Sequence, residues 1–151
     1  MGRKYAAYGT ATNTASTTVP MWVLTGATTT RVRLYDINSW SNTAPADNSG
    51  EFGVRRTSAR GTQSTTVTPN ALDPADPASL VTYDTAWSVN PTVTASSDLL
   101  RFAHNLRATF RWVAIPGGEL VIPATSGAGL ALLAVVTNTA STYGWTVHWE
   151  E

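Results

Sequence analysis

The chain of 151 residues contains no cysteine. This absence excludes disulfides, thiolate metal sites and cysteine nucleophiles, and with them a small secreted scaffold held together by disulfides. A chain of this length does not need such cross-links, because a domain of this size buries roughly 70% of its unfolded surface. The sequence therefore predicts one domain with an ordinary hydrophobic core.

Charged residues are scarce as well. They make up 13% of the chain, only one of them is a lysine, and the formal net charge is +0. A neutral chain is not steered electrostatically towards nucleic acid or an acidic substrate, so we expect no nucleic-acid partner. Low charge is also unfavourable for a free monomer in solution, and it suits a protein that stays packed against other proteins.

Long hydrophobic runs are missing too. The longest, Leu130–Val136, is far shorter than the roughly 20 residues of a membrane-spanning helix. The basic start Gly2-Arg3-Lys4 is followed by Tyr, Thr and Ala, and Ala6 stands where a myristoylation motif has Ser or Thr. We expect no signal peptide, no lipid anchor and no membrane partner.

What the chain does contain is a series of strand-length segments, clearest in its last third. Phe110 and Trp112 alternate with Arg111 and Val113, which is the period of a strand covered on one face, so Trp112 is predicted in the interior. The run Leu130–Val136 predicts a strand buried on both faces. Further strands are predicted over residues 21–25, 31–37, 51–56, 63–68, 80–89, 119–122 and 145–149.

Glycine and proline mark the connections. Gly61 is predicted at the turn of a hairpin between the strands 51–56 and 63–68. Pro69–Pro77 carries three prolines and predicts an ordered surface excursion rather than a central strand. Residues 98–106 fit either a short helix or a strand. A long loop is predicted over residues 38–50.

Residues that could carry chemistry are few. His104 and His148 are the only histidines, they lack the spacing of a zinc site, and no Gly-x-Ser-x-Gly turn occurs. Asp73, Asp76 and Asp84 are candidates for calcium ligands, with turn capping as the alternative, since their spacing fits no EF-hand loop. We therefore predict no enzyme, no metal, no cofactor and no small-molecule substrate.

Six tryptophans are more than a small core is expected to hold. Tryptophan gives a large contact area at low entropic cost, so some of them are predicted at an interface. Three arginines form the only dense basic cluster, predicted as a solvated or interface-pairing face. The candidate interface residues are Trp22, Trp40, Trp87, Trp145, Trp149, Arg55, Arg56 and Arg60.

An ordered series of segments resembles a family of small virion proteins of tailed bacteriophages. The segments are Arg56–Thr62, Thr68–Pro74, Arg111–Leu120, Pro123–Thr125 with Gly129–Leu130, and Trp149–Glu151. The resemblance covers roughly residues 31 to 151 and consists of turn and strand patterns rather than a catalytic signature. It implies an all-β, jelly-roll-like domain, often trimeric, that decorates or cements an icosahedral head.

The resulting expectation is a jelly-roll-like β-sandwich or barrel over residues 20–151, preceded by an extended arm or first strand over residues 1–19. The resemblance implies a homotrimer that binds the major capsid protein at local three-fold positions on the outer surface of the phage head, after assembly in the host cytoplasm. The alternative is a trimeric receptor- or carbohydrate-binding sandwich of a phage fibre or tail tip. A jelly roll protects its sheet edges and presents loops at both ends, which suits either binding role.

Overall fold

The structure is a computed structural model that describes residues 2–12, 16, 18–41, 47–137 and 141–151. These residues contain thirteen β-strands and no helix, so the all-β prediction is confirmed. The strands form two antiparallel sheets packed as a sandwich around one main core. We find no membrane-crossing helix in this part of the chain.

The thirteen strands follow the chain in this order. They are β1 (Lys4–Thr12), β2 (Trp22–Thr25), β3 (Val32–Ser41), β4 (Ser49–Ala59), β5 (Thr62–Val67), β6 (Asn70–Ala71), β7 (Thr82–Val89), β8 (Thr92–Val93), β9 (Leu100–Asn105), β10 (Phe110–Val113), β11 (Leu120–Ile122), β12 (Gly129–Thr137) and β13 (Thr142–Glu150). Sheet A has the order β10-β3-β13-β1-β6, and β11 also pairs with β3. Sheet B has the order β5-β7-β2-β12-β4-β8, and β9 also pairs with β4.

The strand β12 is the centre of sheet B, between β2 and β4. Leu130 and Leu132 point into the main core, whereas Ala131 and Leu133 join Val23 in a smaller cluster on the outer side of the sheet. The prediction that this apolar run is buried on both faces is therefore confirmed for Leu130–Ala134, whereas Val135 is half-buried and Val136 is exposed at the end of the run. A strand with neighbours on both edges and cover on both faces is expected to be continuously apolar, as this one is.

The strand β10 lies at the edge of sheet A and pairs only with β3. Its predicted alternation is confirmed, because Phe110 and Trp112 are partly buried while Arg111 and Val113 are exposed. The predicted depth is corrected. Trp112 packs against the rim of the core rather than inside it, since an edge strand has a neighbour on one side only.

The predicted hairpin at Gly61 is wrong. The strand β5 pairs with β7, whereas β4 lies between β12 and the short strands β8 and β9. Gly61 does form a sharp turn, with φ of +74°. A Cβ atom there would lie 2.3 Å from the carbonyl oxygen of Val89, so the turn packs directly against the end of β7. The turn residue and the two strands that it joins, β4 and β5, are predicted correctly, but these strands do not pair with each other.

The excursion Pro69–Pro77 is an ordered surface segment, as predicted. It leaves sheet B and adds β6 to the edge of sheet A, beside β1. Leu72 N donates a 2.8 Å hydrogen bond to the carbonyl of Lys4, and the Tyr5 hydroxyl donates one of 3.0 Å to the carbonyl of Pro77. The excursion thus ties the two sheets together along one side.

Of the alternatives left open, the structure selects the strand in each case. Residues 98–106 contain β9, and residues 4–12 of the predicted arm form β1 inside sheet A. Residues 1, 13–15 and 17 of that arm lie outside the described residues. The predicted loop 38–50 is shorter than expected, because β3 continues to Ser41 and β4 begins at Ser49; residues 42–46 are likewise outside the described part of the chain.

Candidate binding face

Three of the five tryptophans predicted at an interface lie inside the sandwich. Trp22, Trp145 and Trp149 are at most 1% exposed and belong to the main core. Trp149 stacks on Tyr5 with ring centroids 6.1 Å apart. The interface prediction is corrected for these three residues, because sheets of six and seven strands enclose a core large enough for several indole rings.

The three clustered arginines are all engaged within the chain. Arg55 is 8% exposed and donates to Asp98, and this hydrogen bond lowers the pKa of Asp98. Arg60 donates two hydrogen bonds, of 2.7 and 2.8 Å, to the fully buried carboxylate of Asp84. Arg56 is exposed, yet it donates a 2.8 Å hydrogen bond to a main-chain carbonyl of β11. Arg55 and Arg60 stabilise the fold rather than face a partner, which corrects their predicted role.

The candidate calcium ligands do not come together. Asp73 accepts a 2.9 Å hydrogen bond from Ala75 N in a turn, which is the capping role of the alternative prediction. Asp76 lies 3.9 Å from Arg3, and Asp84 is occupied by an arginine. Among the described residues no group of three or more His, Asp or Glu side chains is arranged to hold a metal ion.

His104 is a buried residue of the core. Its ring lies 5.5 Å from that of Phe52 and 5.0 Å from that of Tyr143. Since the Asn105 carbonyl can only accept, Nδ1 carries the proton and donates to it at 3.1 Å, and Nε2 accepts from the Ser39 hydroxyl at 3.0 Å. Burial lowers the pKa of His104. The histidine links the two sheets in its neutral form.

The outward side chains of sheet A form a continuous surface, which we call the open face. It consists of alternate residues of β1, β13 and β3, with β10 at one edge. The inward residues of the same strands fill the core. Four ring-bearing residues lie on the open face, and these are Tyr8, Tyr35, Trp40 and His148.

The Trp40 ring lies against the backbone of the open face. The ring lies directly on Gly144 of the neighbouring strand, since a Cβ atom at Gly144 would come within 2.3 to 2.5 Å of three indole atoms. Glycine is therefore required beneath the ring. Trp40 was predicted at an interface, and this position on an outer sheet face is compatible with that role.

Hydroxyl groups surround the exposed rings. Tyr8, 62% exposed, stands on β1 opposite Thr146, and Thr10 stands opposite Gly144. The hydroxyls of Thr12 and Thr142 lie 3.0 Å apart on the same two strands. The rings thus project from a polar surface and not from an apolar patch.

The other end of the open face carries paired charges. Arg111 donates hydrogen bonds of 3.1 and 2.7 Å to the two carboxylate oxygens of the buried Asp36, and Nδ1 of His148 lies 3.5 Å from the same carboxylate. The rings of His148 and Tyr35 stack with centroids 6.2 Å apart, and Lys4 Nζ lies 5.9 Å from the Tyr35 centroid. A hollow of about 260 Å³ adjoins Lys4 and Tyr35.

The outer face of sheet B differs, because it is largely covered. Trp87, predicted at an interface, packs with Val93 on the small cluster formed by Val23, Ala131 and Leu133. Its indole nitrogen is buried and has no hydrogen-bond partner among the residues that the structure describes. Trp87 is half-buried and supports the packing of the β7–β8 segment.

Sequence reasoning missed Tyr8 and Tyr35. The signal was present for Tyr8, since it alternates with the inward residues Tyr5, Ala7 and Gly9 on β1. Tyr35 alternates in the same way with the buried Val32 and Leu34 on β3. The register of β3 against β13 shifts between Asp36 and Leu34, and this bulge turns Asp36 as well as Tyr35 towards His148, which simple alternation does not predict for Asp36.

Fold and surface together define an antiparallel β-sandwich with one covered sheet and one open, aromatic and hydroxyl-rich sheet face. A site of this shape can bind by stacking and hydrogen bonding, and of its charged groups Arg111 is paired with Asp36. Comparisons with models of protein families, with curated proteins and with solved structures gave no match.

Proposed function

We propose that the sandwich is a jelly roll that serves as a structural protein of a phage head. The observation that carries this proposal is the nested order of strand pairs. β1 pairs with β13, β2 with β12, β3 with β10 and β11, and β4 with β8 and β9. Successive pairs alternate between sheet A and sheet B, which is the pattern of one long antiparallel ribbon rolled into two sheets.

The segment β5–β7 is an insertion into this ribbon. It extends sheet B beyond β2 and sends β6 to the edge of sheet A. Without it, each sheet keeps four ribbon positions, as in a jelly roll of eight strands. The resemblance to phage decoration proteins implies the same fold, and the strand order supports the proposal independently of it.

The proposed role is to decorate and cement a tailed-phage capsid as a homotrimer that binds the major capsid protein at local three-fold positions. The turn between β10 and β11 is a suitable contact. Ile115, at 76%, is the most exposed of the large apolar side chains described, and Val113 beside it is also exposed. The same turn belongs to the segment Arg111–Leu120, on which the resemblance rests.

Binding to undecorated heads of the phage tests this role. We expect the purified protein to be trimeric by light scattering and to co-sediment with such heads. Ile115→Asp should lose most of this binding, because it places a charge in an apolar contact. Leu72→Asp is the matched control: Leu72 is 51% exposed but lies at the other edge of sheet A. The proposal is contradicted if the protein is monomeric and does not co-sediment with the heads, or if both variants bind the heads equally well.

A further inference from the structure

We infer that the open face binds a neutral oligosaccharide. The site extends from Trp40 across β13 to Tyr8 and on towards the stacked rings of Tyr35 and His148. This activity is additional to attachment to a capsid, which is proposed to use the turn between β10 and β11 at the edge of the sheet. It assigns a ligand class to aromatic residues that have no role in the core.

The geometry of Trp40 is the first step. One face of the indole rests on Gly144, so the ring lies parallel to the sheet instead of standing upright on it. The π face of an aromatic ring is electron-rich. The C–H groups on one side of a pyranose are weakly positive and form a flat apolar surface, so such a sugar can stack on a ring held in this way.

The spacing of the rings is the second step. Tyr8 lies two strands across and two residues along from Trp40, because Trp40 pairs with Gly144 and Tyr8 with Thr146. Strand spacings place their Cα atoms roughly 12 Å apart. The Trp40 ring itself lies on Gly144, one strand and two residues from Tyr8, which by the same spacings is about 8 Å from the Tyr8 Cα atom. This distance still exceeds one sugar ring, and therefore an oligosaccharide rather than a monosaccharide can touch both.

The surroundings of the rings are the third step, and they favour a sugar over a protein. A protein partner is recognised best by aromatic anchors within an apolar, desolvated centre. Here the neighbours of Trp40 and Tyr8 are the hydroxyls of Thr10, Thr12 and Thr146. A sugar offers apolar C–H faces and hydroxyl edges together, and this combination matches rings set among threonines.

The charges of the open face are the fourth step, and they indicate a neutral ligand. Binding of single-stranded nucleic acid also uses stacking, but it requires a positively charged groove along the backbone. On this face Arg111 is paired with Asp36, Lys4 Nζ lies 5.9 Å from the Tyr35 centroid, and both Lys4 and Arg33 stand opposite Glu150. Lys4 and Arg33 lie at the opposite end of the face from Trp40, so they form no positively charged groove along the line from Trp40 to Tyr8.

A glycan array of neutral oligosaccharides, followed by calorimetric titration of the best binder, tests the inference. We expect binding by the parent protein and roughly threefold to tenfold weaker binding by Tyr8→Ala, the loss expected for one stacking contact. Trp40→Ala should weaken binding at least as much, and Trp40→Phe should retain part of it. Leu72→Ala is the surface control and should bind like the parent.

Tyr8 is exposed, so Tyr8→Ala keeps the test valid even if Trp40→Ala fails to fold; thermal melts establish which variants are folded. Absence of binding to every neutral glycan overturns the inference, and so does parent-like affinity of Tyr8→Ala and Trp40→Ala. Preference for single-stranded oligonucleotide over sugar would also overturn it.

The outcome can be separated from that of the proposed capsid role. Ile115→Asp should lose binding to heads and keep binding to the glycan. Tyr8→Ala should do the reverse. If both variants lose both activities, the two sites are one and the inference fails, whereas loss of head binding alone leaves the glycan site intact.

Discussion

At the scale of single residues, burial separates tryptophans that look alike in the sequence. We expect Trp149→Ala to lower the free energy of unfolding by roughly 3 to 5 kcal/mol, because a fully buried indole leaves a cavity. Trp112→Ala should cost about 1 to 2 kcal/mol, since Trp112 is only partly buried at the sheet edge. Chemical denaturation of the two variants measures both values. Equal losses would contradict the placement of β10 at the edge.

His104 gives a residue-scale prediction about pH. Its pKa is lowered in the folded state by burial, whereas in the unfolded chain it is about 6.5. The contribution of neutral His104 to the free energy of unfolding is therefore complete above a pH of about 6.5. It is lost as the pH falls from there through the lowered folded pKa, because the unfolded state then binds the extra proton.

The difference between parent and His104→Gln isolates this contribution. The amide of glutamine stays neutral and can retain one donor and one acceptor near Asn105 and Ser39. Urea unfolding measures this difference. Between pH 7.5 and pH 5.5 the free energy of unfolding should fall by more in the parent than in the variant. Identical pH dependence of the two proteins would show that His104 is not held neutral.

The direction of each side chain could be predicted only where the strand pattern was regular. Alternation predicts that Trp145 and Trp149 lie on the same side of β13, and both are buried there. The prediction that they lie at an interface rests on the number of tryptophans, and it is wrong for these two residues. The core volume that accommodates these rings depends on how many strands each sheet has, and that number is not local information. The loop predicted over residues 38–50 includes Trp40 because the turn-forming residues Pro45, Asp47, Asn48 and Gly50 follow it, although β3 continues to Ser41.

At the scale of elements, one carboxylate fixes the segment that leads into β7. Glu151 accepts hydrogen bonds from the Ser79 hydroxyl, from Leu80 N at 3.2 Å and from the Trp149 indole nitrogen at 3.1 Å. Glu151→Ala leaves several donors without this partner, and we expect a loss of roughly 1 to 3 kcal/mol. Faster hydrogen exchange of the Leu80 amide should accompany it. Glu150→Ala is the control and should change neither quantity by as much.

The existence of most strands was predictable from the sequence, whereas their partners were not. The segments 51–56 and 63–68 were correctly assigned to strands, yet a short turn at Gly61 made a hairpin the simplest pairing. The structure instead pairs β5 with β7 and places three strands between β5 and β4. Short-range turn chemistry decides where a chain bends, but burial of the whole sheet decides which edges meet.

At the scale of the whole molecule, the distribution of charge determines how an attachment to a capsid should respond to salt. Arg55, Arg60 and Arg111 are paired with carboxylates of the same chain. We therefore expect binding to heads to depend little on salt between 0.1 M and 1 M, although the screening length falls from about 10 Å to about 3 Å. Apolar contacts such as the one proposed for Ile115 persist under these conditions.

Decoration of purified heads across this salt range provides the measurement. Retention of most bound protein at 1 M salt is the expected result. Loss of most of it would assign the contact to charged groups, of which Arg31 and Arg33 are exposed on or beside β3.

The pairing of β1 with β13 has a consequence for how the molecule is made. Lys4 lies opposite Glu150, so these partners are separated by nearly the whole chain. Folds dominated by such distant pairings fold slowly, because the entropy of closing a long loop is lost before any contact compensates for it. During synthesis β1 leaves the ribosome long before β13, so the backbone groups of β1 that pair with β13 have no partner in the meantime. Until β13 has been synthesised, this edge of β1 stays exposed to neighbouring chains, so aggregation competes with the closure of sheet A.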